Sequence, residues 1–405
     1  MKHNDPATAI QDILNFGEFG GVNPSITDSS TYTFLAADRM EEIFDHEIEG
    51  CYLYSRHWNP SNRYLADALA IMEGTESAQV TGSGMAAISN VMMQICSAGD
   101  HLIAGKTMYG GTYALLNNYL PRFGVETTLV DITNPDEIKS SIRPNTKMIY
   151  CEAMSNPLLE IADIPELSKL CIENNLKLVV DNTFTPLIIS PYKLGADIVI
   201  HSLTKFINGS SDTVAGAICA DKEFIDSLMD VNSGTTMLLG PVMDSMRSAS
   251  VLKNLHNLHL RMRQHSRNAL TIAGGLKKLG IRVRYCGLQE HPQYELMTNM
   301  MNDNFGYGGM VLLDLGTKKD AYDFMERLQK RKVGYLAVSL GFYKTLFSAP
   351  GSSTSSEVPE DQQDAMGMSE GLVRMSVGLD NDIERSFKIM VEELDAMGKL
   401  HTHTT

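Results

Sequence analysis

Between residues 77 and 220, short apolar runs rich in β-branched residues alternate with segments of helical periodicity. No other feature constrains the fold as strongly. The strands predicted are 78–80, 101–104, 126–130, 147–152, 177–180, 198–201 and 215–219, with helices over 85–95, 111–119, 135–141 and 164–174 between them. Strands that are apolar on both faces belong in a mostly parallel sheet covered by helices. Right-handed crossovers then make a doubly wound α/β domain the default. A long helical pattern over 242–278 leads to a smaller α+β unit, with strands at 311–315, 335–339 and 372–377 and helices at 321–331 and 383–397. The first 60 residues lack the rhythm. The organisation expected is an irregular arm (1–60), a large domain (61–250) and a C-terminal domain (251–405).

Composition narrows the partners. The 405 residues carry 34 Lys and Arg against 49 Asp and Glu, a net charge of −15. That balance supplies no basic face for nucleic acid or for anionic lipid. No apolar run approaches the ~20 residues that span a bilayer, and no secretory leader is visible at the start. The six cysteines are scattered without a CxxC pair, and Cys96, Cys151 and Cys219 lie in apolar runs. Buried, reduced thiols fit a cytoplasmic protein. The Ser-rich stretch 351–356 reads as a mobile loop and the tail 401–405 as a frayed end.

Three motifs fall on one edge of the predicted sheet. Val80-Thr81-Gly82-Ser83-Gly84-Met85 is a strand, a glycine turn and a helix start, where open N–H groups favour an anion. Gly82, Gly84 and Ala87 also fit a dinucleotide fingerprint, but the next strand ends Ala104-Gly105-Lys106 without the acid that reading requires. A phosphate cradle of another kind is favoured. Asp181 ends the strand Leu178-Val179-Val180, on the edge where open α/β sheets bind ligands. Ile198-Val199-Ile200-His201 runs into Ser202-Leu203-Thr204-Lys205, two hydroxyls and an amine. Pyridoxal 5′-phosphate needs all three groups: donors for its phosphate, a lysine amine for its aldehyde, and a carboxylate for its ring nitrogen. Tyr109, after the second strand, is placed to stack on the ring. His256, His259 and His265 suggest a metal, but Arg261, Arg263 and Arg267 beside them oppose one, and a solvated helix face is expected.

Here the chain resembles the transsulfuration-type, or Cys/Met metabolism, family of pyridoxal-phosphate enzymes. The resemblance spans nearly the whole chain, through Tyr54-Ser55-Arg56, Ser83-Gly84-Met85, Tyr109-Gly110-Gly111, Asn156-Pro157, Asp181-Asn182-Thr183, Ser202-Leu203-Thr204-Lys205 and Leu372-Val373-Arg374-Met375-Ser376. It implies an aspartate-aminotransferase-like fold. It also implies that Lys205 holds the cofactor and moves protons, that Asp181 faces the pyridine nitrogen, and that Asn156 faces the ring oxygen. Tyr109 stacks on the ring, and Ser83, Gly84, Met85, Ser202 and Thr204 surround the phosphate. Tyr54 and Arg56 are implied to reach that phosphate from a neighbouring subunit, giving catalytic dimers paired into a homotetramer. Arg374, assisted by Ser339, is the implied clamp for the carboxylate of an amino-acid substrate.

Within the family, lyases acting on cystathionine usually carry a glutamate where this chain has Val338. An apolar residue suits a short thioether tail, so the chain looks most like the methionine γ-lyase branch. The implied reaction is α,γ-elimination of L-methionine or a related thioether amino acid to 2-oxobutanoate, ammonia and a thiol. Two departures stand against the bacterial members: Gly111 replaces their cysteine, and Met229–Gly234 lacks their Lys-Asp pair. The alternatives are a cystathionine γ- or β-lyase, or a transferase of the O-acylhomoserine sulfhydrylase or cystathionine γ-synthase type. A cofactor-free binding protein conflicts with the intact Lys205, Asp181, Tyr109 and Arg374.

Overall fold

The computed structural model describes residues 5–34, 36–45, 50–353, 358, 359, 361, 363 and 366–400. The predicted loop 351–356 therefore lies partly, and the tail 401–405 wholly, outside the described residues.

The alternating region forms the predicted sheet. Its strands are β1 (Ser77–Thr81), β2 (His101–Gly105), β3 (Glu126–Val130), β4 (Thr146–Glu152), β5 (Lys177–Asp181), β6 (Ile198–His201) and β7 (Gly216–Ala220), in the spatial order β1-β7-β6-β5-β4-β2-β3. The pairs β2/β3, β2/β4, β4/β5 and β5/β6 are parallel, whereas β7 runs antiparallel to both β6 and β1. β1 therefore points the same way as β6. The carboxyl ends of β1, β2, β4, β5 and β6 all emerge on one edge, at Thr81, Gly105, Glu152, Asp181 and His201. Side chains such as Ile103, Ile149, Val179 and Val199 are fully buried, as a sheet covered on both faces requires.

Local chemistry sets the helices that flank this sheet. Pro60–Glu73 starts at Asn59, whose side chain accepts from the Ser61 N–H at 2.8 Å, and stops at Gly74 in the left-handed region. Gly84–Ile95 is capped by Ser83 Oγ, which accepts from Ala86 N–H at 3.0 Å. The helix expected over 111–119 is regular only through Gly110–Ala114 and then widens over Leu115–Tyr119.

The second sheet contains β8 (Arg282–Arg284), β9 (Met310–Asp314), β10 (Gly334–Leu336), β11 (Thr345–Ser348) and β12 (Leu372–Ser376), in the order β10-β11-β12-β9-β8. Only β10/β11 is parallel. A distinct buried cluster around Ile272, Leu313, Phe324, Val373 and Met390 supports it.

Three further expectations need correction. The helix predicted over 242–278 is two helices, Ser245–Leu255 and Leu258–Lys278. Arg261 occupies the break, donating from Nη2 to Asn254 O and Ile207 O and from Nε to Asn257 Oδ1. The strand predicted over 335–339 ends at Leu336, which frees Val338 and Ser339 to face the cavity described below. His265 is not on a solvated face: it is buried, its Nδ1 lies 2.7 Å from Val377 O, and burial pushes its pKa down to about 4.

Candidate active site

A cavity of about 280 Å3 opens at the strand-end edge. It gathers Ser83, Gly84, Met85, Tyr109, Asn156, Asp181, Ser202, Thr204, Lys205, Ser339 and Arg374, every predicted site residue except Tyr54 and Arg56. Arg56 Nη1 instead donates to Met237 O at 2.7 Å, and its guanidinium lies 5.6 Å from the Tyr54 ring. Within one chain these two residues stand outside the cavity.

One end of the cavity is built for an anion. The first N–H groups of a helix have no partner inside it, and the Ser83 hydroxyl serves that of Ala86, so those of Gly84 and Met85 stay open. Gly84 is required by close approach: a Cβ there would lie 2.8 Å from Ser202 Cβ. The contact draws the helix start against the residue that follows β6. Not every predicted donor is free. Thr204 Oγ donates to Ala215 O at 3.3 Å and accepts from Ala215 N–H at 3.0 Å, whereas Ser83 Oγ accepts from Ala86 N–H and keeps its own O–H to give.

The opposite wall carries charge without ion-pair partners among the described residues. Asp181 is buried, and one of its oxygens accepts from Thr183 N–H at 2.9 Å. Tyr150 O–H approaches the other at 3.4 Å. Burial holds the Asp181 carboxyl above its usual range against these bonds. Lys205 Nζ donates to Ser339 Oγ at 3.2 Å. Burial, then the Arg374 charge, lowers its pKa to about 8. Arg374 itself is 2% exposed. It donates to Asn156 Oδ1 at 2.8 Å and to Ser339 O at 3.4 Å, both neutral acceptors. Burial lowers its pKa to about 10. The Glu152 charge acts on it without an ion-pair contact, so a buried guanidinium hydrogen-bonded only to carbonyl oxygens is left open to a bound carboxylate.

Sequence reasoning missed Glu152 and Tyr150. Glu152 ends β4 opposite Asp181 in register and lines the same cavity. The rule that singled out Asp181, an acid at the carboxyl end of an apolar strand, applies equally to it. Tyr150 carried no such signal, since an aromatic inside an apolar strand reads as core.

An anion cradle, a lysine tuned toward neutrality, a buried acid and an unpaired arginine together define a site for a phosphorylated aldehyde cofactor acting on an amino acid. Comparison with known proteins agrees. Residues 8–388 match the model of the family described as Cys/Met metabolism PLP-dependent enzymes. The chain is 45% identical over 390 residues to the methionine γ-lyase of Arabidopsis thaliana, covering 95% of this chain and 88% of that one. It is 37% identical over 334 residues to the cystathionine γ-lyase of Bacillus subtilis, covering 82% and 85%. A Campylobacter jejuni protein solved with an N′-pyridoxyl-lysine-5′-monophosphate superposes with a TM-score of 0.88 at 27% identity, covering 96% of this chain and all of that one (100%). The chain belongs to the Cys/Met metabolism family of pyridoxal-phosphate-dependent enzymes, and pyridoxal 5′-phosphate is its cofactor.

Proposed function

We propose that this enzyme is a carbon–sulfur lyase that splits L-methionine, or a closely related thioether amino acid, with water into 2-oxobutanoate, ammonia and a thiol. The observation that carries the tail assignment is Val338, 62% exposed at the cavity wall beside Ser339. It offers no charge to a second amino-acid head group. The identity to a plant methionine γ-lyase supports the same reading.

The bound cofactor supplies an electron sink next to the substrate Cα. The chain supplies the rest. Arg374 grips the α-carboxylate, with Ser339 between it and Lys205. Lys205 carries the cofactor and then, as a free amine, takes the Cα proton; a pKa of about 8 leaves an appreciable neutral fraction at physiological pH. Asp181 would hold the proton on the ring nitrogen, Asn156 would meet the ring oxygen, and Tyr109 would stack on the ring and deliver a proton to the departing sulfur. Gly84, Met85 and Ser202 would hold the phosphate, joined by Thr204 when its hydroxyl turns away from Ala215 O.

Tyr54 and Arg56 complete the phosphate site of a second copy, which makes the active unit a homodimer; the pairing of such dimers into a homotetramer is what the family resemblance implies. Their position outside their own chain's cavity supports this. Mixing inactive Lys205→Ala and Arg56→Ala proteins then restores about a quarter of the wild-type sites; failure to restore activity contradicts the shared site. Among the described residues no helix is long and apolar enough to cross a membrane, and the buried, unpaired Cys96, Cys151, Cys171, Cys219 and Cys286 suit the reducing cytoplasm.

The functional test offers methionine, cystathionine, cysteine, and O-acetylhomoserine with sulfide in parallel, reading 2-oxo acid and thiol. The proposal expects 2-oxobutanoate and methanethiol in equal amounts from methionine. Turnover of the acylhomoserine mixture with none of methionine establishes the transferase reading instead.

A further inference from the structure

The geometry points to Glu152 as a positioning residue that sets the slot in which the cofactor ring is held. The inference rests on the pyridoxal-phosphate reading of this cavity and adds a residue to it. Glu152 is 8% exposed and stands at the carboxyl end of β4, paired in register with Asp181. One carboxylate oxygen accepts from Tyr109 N–H at 2.8 Å and the other from Asn156 N–H at 2.7 Å. Tyr109 lies on the turn after β2 and Asn156 on the turn after β4, so a single side chain ties two separate segments. Those segments carry the residues assigned to the face of the ring and to its oxygen. On the cavity side, one carboxylate thus sets the spacing between these two contacts.

The site tolerates this acid at some cost. Burial, then the charge of Asp181, raises its pKa to about 8, while the two N–H bonds and Arg374 act the other way. An acid serving only to satisfy two backbone groups would not need to stand inside the cavity against a second carboxylate. A comparison is built into the same turns: Glu160 accepts from Thr107 Oγ1 and its own N–H donates to Ser155 Oγ at 3.1 Å. It ties the same two segments from outside the cavity.

The contrast gives the test. Glu152→Gln keeps the shape but turns one acceptor into an N–H group facing an N–H donor, which releases one of the two turns. In cofactor-loaded protein, Glu152→Gln is expected to weaken pyridoxal-phosphate binding at least ~10-fold and to reduce the visible circular dichroism of the bound cofactor by half or more. Glu160→Gln is expected to lower Tm while leaving both cofactor readouts at wild-type values. If Glu152→Gln does not fold, Glu152→Asp, which keeps the charge but reaches only one turn, is read in its place. Cofactor affinity and dichroism unchanged in the Glu152 variant, or changed equally in the Glu160 variant, overturn the assignment. Wild-type protein that takes up no pyridoxal phosphate instead overturns the cofactor reading beneath it.

Discussion

The two faces of the β5 and β6 ends carry similar residues and put them to different uses. On the cavity face stand buried Asp181 and half-buried Lys205, with buried Arg374 opposite, all without ion-pair partners among the described residues. On the other face Asn182 and His201 turn toward Glu73, at the end of the helix Pro60–Glu73. There His201 Nε2 lies 2.7 Å from Glu73 Oε1, and Asn182 Nδ2 donates to the same oxygen at 3.2 Å. One residue step separates Asp181 from Asn182, and strand alternation sends them to opposite sides. Unpaired buried charge is costly unless a ligand completes it, whereas Glu73 and His201 are paired with each other, even though Glu73 Oε2 and His201 Nδ1 have no hydrogen-bond partner of their own among the described residues. The difference teaches that charge and burial alone do not mark a site; the missing counter-charge does.

Substitutions on the two faces therefore separate chemistry from stability. The largest effect is expected from Lys205→Ala. It removes the cofactor attachment and the proton carrier together, so kcat falls at least ~10³-fold while the melting transition of the apoprotein stays close to that of wild type. Next comes Glu73→Leu on the opposite face, which strands His201 and should cost about 3–5 kcal/mol in denaturant unfolding. The protein that remains folded should keep most of its kcat. A large loss of kcat at unchanged stability would break the distinction between the faces.

The pH dependence of cofactor uptake sharpens the cavity side. Attachment needs the neutral amine, and the folded Lys205 pKa is lowered from 10.5 to about 8. Uptake by the apoprotein should rise about tenfold from pH 7 to pH 9 and level off above that. The same shift means that the folded chain holds fewer protons than the unfolded one between these two pKa values, so this group's contribution to stability grows as pH rises through that window. A rise continuing to pH 10.5 would show an untuned lysine. The smallest effect concerns the cavity mouth. Val338→Glu should move the kcat/KM ratio several-fold, up to about tenfold, from methionine toward cystathionine, whose second ammonium it would meet.

Much of this was legible in the sequence, and the reason is local. The first sheet was readable because its strands are continuous apolar runs between clear helices, and the parallel order puts their ends on one edge. Asp181, Ser202, Thr204 and Lys205 follow from that edge alone. The second sheet was harder: Arg282–Arg284 and Thr345–Ser348 are too short for an alternating pattern to emerge, and both escaped prediction. The helix break at His256 was hidden because Leu252, Leu255, Leu258 and Met262 keep their spacing across it. His265 looked solvated because its neighbours are basic, yet its carbonyl partner, Val377, lies 112 residues away in sequence. Glu152 declares itself only once the Tyr109 and Asn156 turns are placed around it. Its place at a strand end was readable, but its tie to Tyr109, 43 residues away, was not.

The central claim is that the unpaired face of these strand ends is where the cofactor is covalently held. Borohydride reduction of the loaded protein, followed by digestion and peptide mass mapping, tests it directly. The account predicts one pyridoxyl group per chain, on the peptide that contains Lys205 and lost in Lys205→Ala. A pyridoxyl group on any other lysine, or none on a protein that still turns methionine over, would contradict it.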